Sequence, residues 1–283
     1  MGRKLLAMDL DGTAVRDDYS MGELTRKSIE DAKDAGHIIA FVSGRREIDM
    51  LTMSEEEAGC ADYQILNNGG KILRCDDHSV LYNRLIAPGP CRKLIQYCLD
   101  RDLQLQICSC RTWQVTVMTE HTMEYAEEVG VIPKVVRSLE EAEWREGLEG
   151  FMATRDLEAI GKYIDEALPA MYYVSSEPGC IDIMSVGATK WNGVKKLADQ
   201  LNIPRDDIIT IGNYYNDIDM LKYAGVGIAV ANSLPAVKEE ADYITKNDNN
   251  HDAVAEIVEK MLAGGFEIGA VKGGKESESC GDR

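Results

Sequence analysis

The sequence predicts an α/β fold, on two observations. Apolar runs of four or five residues alternate with longer amphipathic segments from the first residues to about residue 262. The first two runs also end in polar clusters, Asp9-Leu10-Asp11-Gly12-Thr13 and Ser43-Gly44-Arg45. In an open parallel sheet, ligands bind beyond the carboxyl ends of the strands, so these clusters can face one crevice.

The bulk properties bound the rest. At 283 residues the chain exceeds the roughly 100–200 of one domain, which predicts two. Hydrophobic residues make up 45% and charged residues 28%, a globular composition that excludes a disordered chain and a membrane span. Met1-Gly2-Arg3-Lys4 leads into only four apolar residues before Asp9, too short for a signal-peptide core, and no apolar run approaches ~18 residues. A cytoplasmic protein without a membrane partner is expected. Eight cysteines at irregular spacings fit a reduced pool better than a disulfide framework, with Cys108 and Cys110 read as same-face strand residues. The net charge of −18 repels nucleic acid, and any anionic ligand needs a local positive site.

In chain order, residues 4–8 read as a buried strand, 23–35 as a helix stopped by Gly36, and 38–42 as a second strand. A third run, 63–66, leads into Asn67-Asn68-Gly69-Gly70, a turn composition suited to positive φ, and then a hairpin through 71–82. Ala87-Pro88-Gly89-Pro90 is rich in chain breakers and reads as a linker. Beyond it, helices at 91–100, 124–129 and 156–168 alternate with strands at 103–107, 113–118, 151–154, 172–175 and 180–184, an inserted α/β domain. The first pattern resumes with a helix at 193–201, apolar runs at 208–211 and 226–230, and a last helix at 252–262. The expected division is therefore a split core of residues 1–87 and 187–264 around an insert of 88–186, with 265–283 as a disordered tail.

Asp9 and Asp11 stand two apart at a strand end, where Gly12 lets the backbone turn. Two carboxylates in one small space can bind a hard dication through oxygen. Asp9 can then attack a phosphoryl group, and Asp11 can protonate the leaving alcohol and later activate water. Alone, the five residues also fit an acidic strand-to-turn junction.

Asp9-Leu10-Asp11-Gly12-Thr13 resembles the first motif of the haloacid dehalogenase-like superfamily, and three further stretches resemble its other motifs in order. Val42-Ser43-Gly44-Arg45 is similar to the second, in which the hydroxyl of Ser43 and the amide of Gly44 hold the phosphate. Lys190 matches the third, an ammonium that pairs with the phosphoryl group and the nucleophile. Gly212-Asn213-Tyr214-Tyr215-Asn216-Asp217 is similar to the fourth, an acidic metal loop, with Asn216 toward the phosphate. Bland readings stand beside these: Ser43 as cap of a helix starting near Arg45, Lys190 as a solvated lysine, Asn216 and Asp217 as an N-cap pair.

Asn67-Asn68-Gly69-Gly70, Gly227-Ile228-Ala229-Val230-Ala231-Asn232-Ser233 and Asn247-Asp248 resemble parts of the Cof-like branch that do no chemistry. The resemblance implies a Rossmann-like parallel-sheet core with an inserted α/β cap. It also implies a phosphatase acting on a small phosphorylated metabolite, with magnesium held by Asp9, Asp11, Asn213 and Asp217. Asn213 departs from the pattern, which has Asp directly after the glycine; an amide oxygen can still ligate magnesium, but more weakly. A phosphomutase, or a weakened phosphate-binding protein, is the alternative. Arg111, Trp113, Tyr172 and Glu177 are candidates for cap specificity.

Overall fold

The structure is a computed structural model, and it describes residues 2–109 and 112–264. The expected tail, and with it Cys110 and Arg111, lies outside the described residues. The described residues divide into two compact units: those up to Ser43, Met53–Leu81 and 189–264 in the first, Gly44–Thr52 and Tyr82–Ala188 in the second.

In the first unit, β1 (Leu5–Met8) and β2 (Ile38–Val42) are short apolar runs, wholly buried, and β3 (Tyr63–Leu66) carries Gln64 and is buried only at Ile65 and Leu66. Strands covered on both faces read as continuous hydrophobic stretches, which is what β1 and β2 are. Helix α1 (Glu23–Asp34) joins the first two; it stops where Gly36 takes φ +85°, as its sequence predicts. A one-turn α2 (Glu55–Ala58), closed by a Ser54–Glu57 capping box, precedes β3. The hairpin of β4 (Lys71–Arg74) and β5 (Val80–Asn83) follows.

The second unit begins with a correction. The Pro-Gly-Pro stretch is no linker but the first turn of α3 (Pro88–Leu99), where a proline's missing N–H costs nothing. Then come β6 (Gln106–Cys108), β7 (Trp113–Val115), α4 (Glu120–Val129), β8 (Lys134–Val135), β9 (Gly150–Ala153), α5 (Leu157–Ala167), β10 (Met171–Glu177) and β11 (Cys180–Ser185). They build a six-stranded sheet of order β10-β11-β9-β6-β7-β8, antiparallel except for its last pair. Leu94, Ile95 and Cys98 of α3 and Ile160 and Ile164 of α5 share a core with Ile107, Phe151 and Ile183 of the sheet.

Residues 44–52 belong to this second unit, which the sequence reading did not anticipate. No α-helix starts near Arg45; a 3-10 turn over Glu47–Thr52 stands there instead. Arg46 holds Asp49 bidentately at 2.7 and 2.6 Å, donates to Cys108 Sγ at 3.3 Å, and lies 4.9 Å from the centre of the Trp113 ring. A planar guanidinium suits such a fork-and-stack arrangement, and both charges are buried, at 6% and 2% exposure.

The chain then returns to the first unit with α6 (Lys190–Leu201), β12 (Ile208–Gly212), α7 (Ile218–Tyr223), β13 (Val226–Ala229), α8 (Pro235–Glu240), β14 (Tyr243–Ile244) and α9 (Ala253–Leu262). The resulting sheet has the order β14-β13-β12-β1-β2-β3-β4-β5 and is parallel from β14 to β3. Strand β1 lies between β2 and β12, with Leu5 opposite both Ile38 and Ile208, so the residues just beyond Met8 emerge at the middle of the sheet.

Candidate active site

Asp9 is the first residue past β1. Its N–H donates to the Ile211 carbonyl at 2.9 Å, which ties it to the end of β12. The chain then turns over: Thr13, Ala14 and Val15 all donate to the Leu10 carbonyl at 3.0–3.1 Å, and Gly12 takes φ +70°. Only glycine adopts that conformation without a steric penalty, and here a Cβ would also fall 2.4 Å from Asn213 Nδ2. Asp9 is 4% exposed whereas Asp11 lies in the open, at the turn.

Lys190, the first residue of α6, reaches the same point. Its Nζ donates at 2.6 Å to Asp9 Oδ1 and at 2.6 Å to Asp217 Oδ1, and its side chain is 1% exposed. The solvated-lysine alternative is thereby excluded. Two carboxylates share one ammonium, which leaves one negative charge in excess where water does not reach. Burial first, and then the Asp217 charge, push the Asp9 carboxyl up to about 7, against the pull of Lys190. The Lys190 ammonium is held well above its ordinary range by Asp217 and Asp9, although burial alone acts the other way.

Asp217 fits its expected role less well. Its Oδ1 holds Lys190, and its Oδ2 accepts from the backbone N–H of Asn213 at 2.8 Å and of Tyr214 at 2.9 Å. With no exposed surface and both oxygens hydrogen-bonded, it fixes Lys190 and the loop after β12. It is not a side-chain cap of α7. Asp219, two residues on, faces α6, where its Oδ2 accepts from the Trp191 N–H at 3.2 Å.

Asn213 presents the opposite case. Its Oδ1 is buried without a hydrogen-bond partner, and a buried acceptor of that kind calls for a donor or a cation. Among the described residues no three His, Cys, Asp or Glu side chains gather as a metal cage. The oxygens that suit magnesium here are therefore mixed: the Asp9 carboxylate, the Asn213 amide and the backbone of Asp11. Such a set fits magnesium, which keeps several waters and needs few protein ligands.

Ser43, at the end of β2, is 1% exposed; its N–H donates to Ile65 at 2.8 Å and its carbonyl accepts from Asn68 N–H at 3.0 Å. Gly44 follows it as the first residue of the second unit. Asn216 Nδ2 donates to Asn68 Oδ1 at 2.9 Å. In the first unit the structure thus gathers Asp9, Lys190 and Asp217 directly, and links Ser43 to Asn216 through Asn68, a residue assigned no role from sequence. Its positive-φ turn was the available signal; its partner lies 148 residues away.

Of the specificity candidates, Trp113 is in the second unit's interior, donating to Gln106 at 2.9 Å. Tyr172 donates its hydroxyl to the Ala188 carbonyl, and Glu177 is exposed at a strand end. A cavity of about 250 Å³ in that unit is lined instead by Arg46, Ser109, Thr112 and Glu149, among others. The six described cysteines are free, and Cys108 sits buried in β6, where desolvation raises its thiol.

Comparison with known proteins accords with this geometry. Residues 6–258 match the model of a family described as haloacid dehalogenase-like hydrolase. The chain is 27% identical over 272 residues to the putative phosphatase YxeH of Bacillus subtilis, covering 92% of this chain and 99% of that one. It is 26% identical over 260 residues to the 5-amino-6-(5-phospho-D-ribitylamino)uracil phosphatase YcsE of the same organism, covering 90% and 94%. Among solved structures, a Bacteroides thetaiotaomicron protein described among phosphatases of the superfamily superposes with a TM-score of 0.79 at 24% identity, over 91% and 94% of the two chains. The α/β core with a cap is the fold those structures share with it. The chain belongs to the haloacid dehalogenase-like hydrolase family, in its Cof-like branch.

Proposed function

We propose that the protein is a magnesium-dependent phosphatase that hydrolyses a small phosphorylated metabolite, such as a sugar phosphate or a cofactor phosphate, through an aspartyl-phosphate on Asp9. The observation that carries the proposal is the buried Asp9–Lys190–Asp217 triad at the carboxyl end of the central strand. A purely structural ion pair gains nothing from a second, uncompensated carboxylate, whereas a phosphoryl-transfer site needs a nucleophile and a cation side by side.

In the first step the Asp9 carboxylate bonds to phosphorus while the P–O ester bond breaks, and Asp11 gives its proton to the departing alcohol. Asp11, now a carboxylate, takes a proton from water, which attacks the phosphorus and returns Asp9 and inorganic phosphate. Lys190 offsets the charge of the phosphoryl oxygens, Ser43 and Gly44 hold them, and Asn216 donates to them. Asp9, Asn213 and the backbone of Asp11, with Asp217 behind them, would hold magnesium, which when bound would supply further neutralisation of that charge. Exposed Asp11 suits a proton shuttle and buried Asp9 a nucleophile freed from hydration. The free, buried thiols support a cytoplasmic setting. Among the described residues no helix is long and apolar enough to cross a membrane.

The test is phosphate release from a panel of phosphorylated metabolites, with magnesium and with chelator. Turnover of at least one member is expected with magnesium, and a loss of about a thousandfold or more in Asp9→Asn at unchanged thermal midpoint. Hydrolysis retained by Asp9→Asn defeats the nucleophile assignment; no magnesium-dependent release from any member favours a binding protein.

A further inference from the structure

The turn after β3 takes no part in the chemistry above, yet it is where the phosphate-binding groups of the first unit meet. Asn67, Asn68 and Gly69 have successive φ values of 51°, 50° and 95°. Asn and Gly tolerate that region and most side chains do not, so the composition answers to a backbone path. Both asparagines are buried, at 6% and 1% exposure. The Asn68 N–H donates to the Ser43 carbonyl at 3.0 Å, and Asn68 Oδ1 accepts from Asn216 Nδ2 at 2.9 Å.

Gly69 meets the third group. A Cβ on it would fall 1.9 Å from the Thr189 carbonyl oxygen and 3.2 Å from the backbone nitrogen of Lys190. Gly193, one turn along α6, completes the fit, since a Cβ there would stand 2.8 Å from Gly69 Cα. The start of α6 therefore rests directly on the turn.

We propose that Asn68 is a positioning residue for phosphate binding: its amide oxygen aims the Asn216 amide, while its backbone N–H fixes the Ser43 peptide. The proposal rests on the phosphatase reading of the site. An amide nitrogen carries two hydrogens. Engaging one with Asn68 fixes the rotation of the Asn216 side chain, and so the direction of the other. Without Asn68 Oδ1, the Asn216 amide is free to rotate or to turn over, and the phosphoryl group meets an unaligned donor.

Asn68→Gly keeps the positive φ and deletes the acceptor, so it isolates the side chain. We expect kcat/KM to fall about fivefold to tenfold, the range of one neutral hydrogen bond, with the inhibition constant of inorganic phosphate rising by a similar factor. The thermal midpoint should move by no more than a few degrees. Asn216→Ala should act likewise, and the double variant should be no worse than Asn216→Ala alone, because Asn68 acts through Asn216. Multiplying effects in the double variant overturn the proposal, as does an Asn68→Gly enzyme with unchanged kinetics. A silent Asn216→Ala overturns it together with the assignment of Asn216 to the phosphate. If Asn68→Gly does not fold, Asn68→Ser, whose hydroxyl is too short to reach Asn216, takes its place in the same cycle. If the wild type hydrolyses nothing, the phosphatase reading fails by itself, and the same variants decide the relay through calorimetric binding of inorganic phosphate.

Discussion

Replacing Lys190 by Met removes the one ammonium between two buried carboxylates while keeping much of the side-chain volume. Each contact is 2.6 Å long, worth about 6 kcal/mol gross at an effective dielectric of 20, and desolvation of the three ions offsets most of that sum. What remains on removal is the cost of carboxylates without a partner, about 3–5 kcal/mol for a broken buried pair. In chelator at pH 8 we expect Lys190→Met to unfold roughly 6–20 °C below the wild type, at about 2–4 °C per kcal/mol for a unit of this size. The sign with pH follows from Asp9. Its folded pKa of about 7 exceeds the ordinary 3.8, so the neutral acid favours the folded state; that stability is full below 3.8 and is lost as pH rises through 7. Removing Lys190 raises Asp9 further, so the variant's deficit shrinks on acidification from pH 8 to pH 5. Adding Asp217→Asn recovers part of it, since one orphaned charge is gone. Scanning calorimetry of the single and double variants decides: a Lys190→Met midpoint within about 2 °C of wild type, or a deficit that grows on acidification, refutes the buried-triad argument.

Two further predictions concern the same unit. Asn213→Asp puts a charge where a neutral amide oxygen now stands, beside the position proposed for magnesium; at ~4 Å a charge and a dication attract by roughly 8 kcal/mol gross at that dielectric, mostly offset by desolvation. A tenfold or greater tightening in a magnesium titration, with faster turnover, is expected, and an unchanged titration counts against Asn213 as a ligand. His37 is buried at 6% exposure and accepts from the Lys4 N–H at 3.2 Å, and burial, then the Lys4 charge, lower its pKa below the usual 6.5. The neutral ring favours the folded state, so stability is full above 6.5 and is lost as pH falls through the lower folded value. Thermal midpoints of His37→Gln should fall less between pH 7 and pH 5 than those of the wild type.

The sequence made some of this legible and hid the rest for physical reasons. Strands such as Ile38–Val42 are short apolar runs followed by polar clusters, and Gly36 stops α1 by its own backbone freedom, so both are local signals. The meeting of Asp9 and Lys190 was expected from their motifs taken together, since nothing local to Lys190 distinguishes it from a solvated lysine. Pro88 was misread because proline marks a break and a first helical turn equally well. The grouping of 44–52 with the second unit depends on Arg46 finding Asp49, Cys108 and Trp113, a polar cluster closed over more than sixty residues that leaves no periodicity. Asp217 shows a further limit: spacing places a carboxylate near the site, but only geometry shows that one of its oxygens meets Lys190 and the other the backbone of Asn213 and Tyr214.

The place of β1 between β2 and β12 has a consequence for the chain as it is made. Leu5–Met8 are synthesised first, yet their partners Ile208–Ile211 come about 200 residues later. At about 5–20 residues per second, one edge of β1 stays unpaired for roughly 10–40 seconds on the ribosome. Such an edge is a template for wrong pairing, and closing so long a loop is slow. For most of that interval Asp9 lacks Lys190, and for all of it Ile211, so the buried triad cannot close before the later strands arrive.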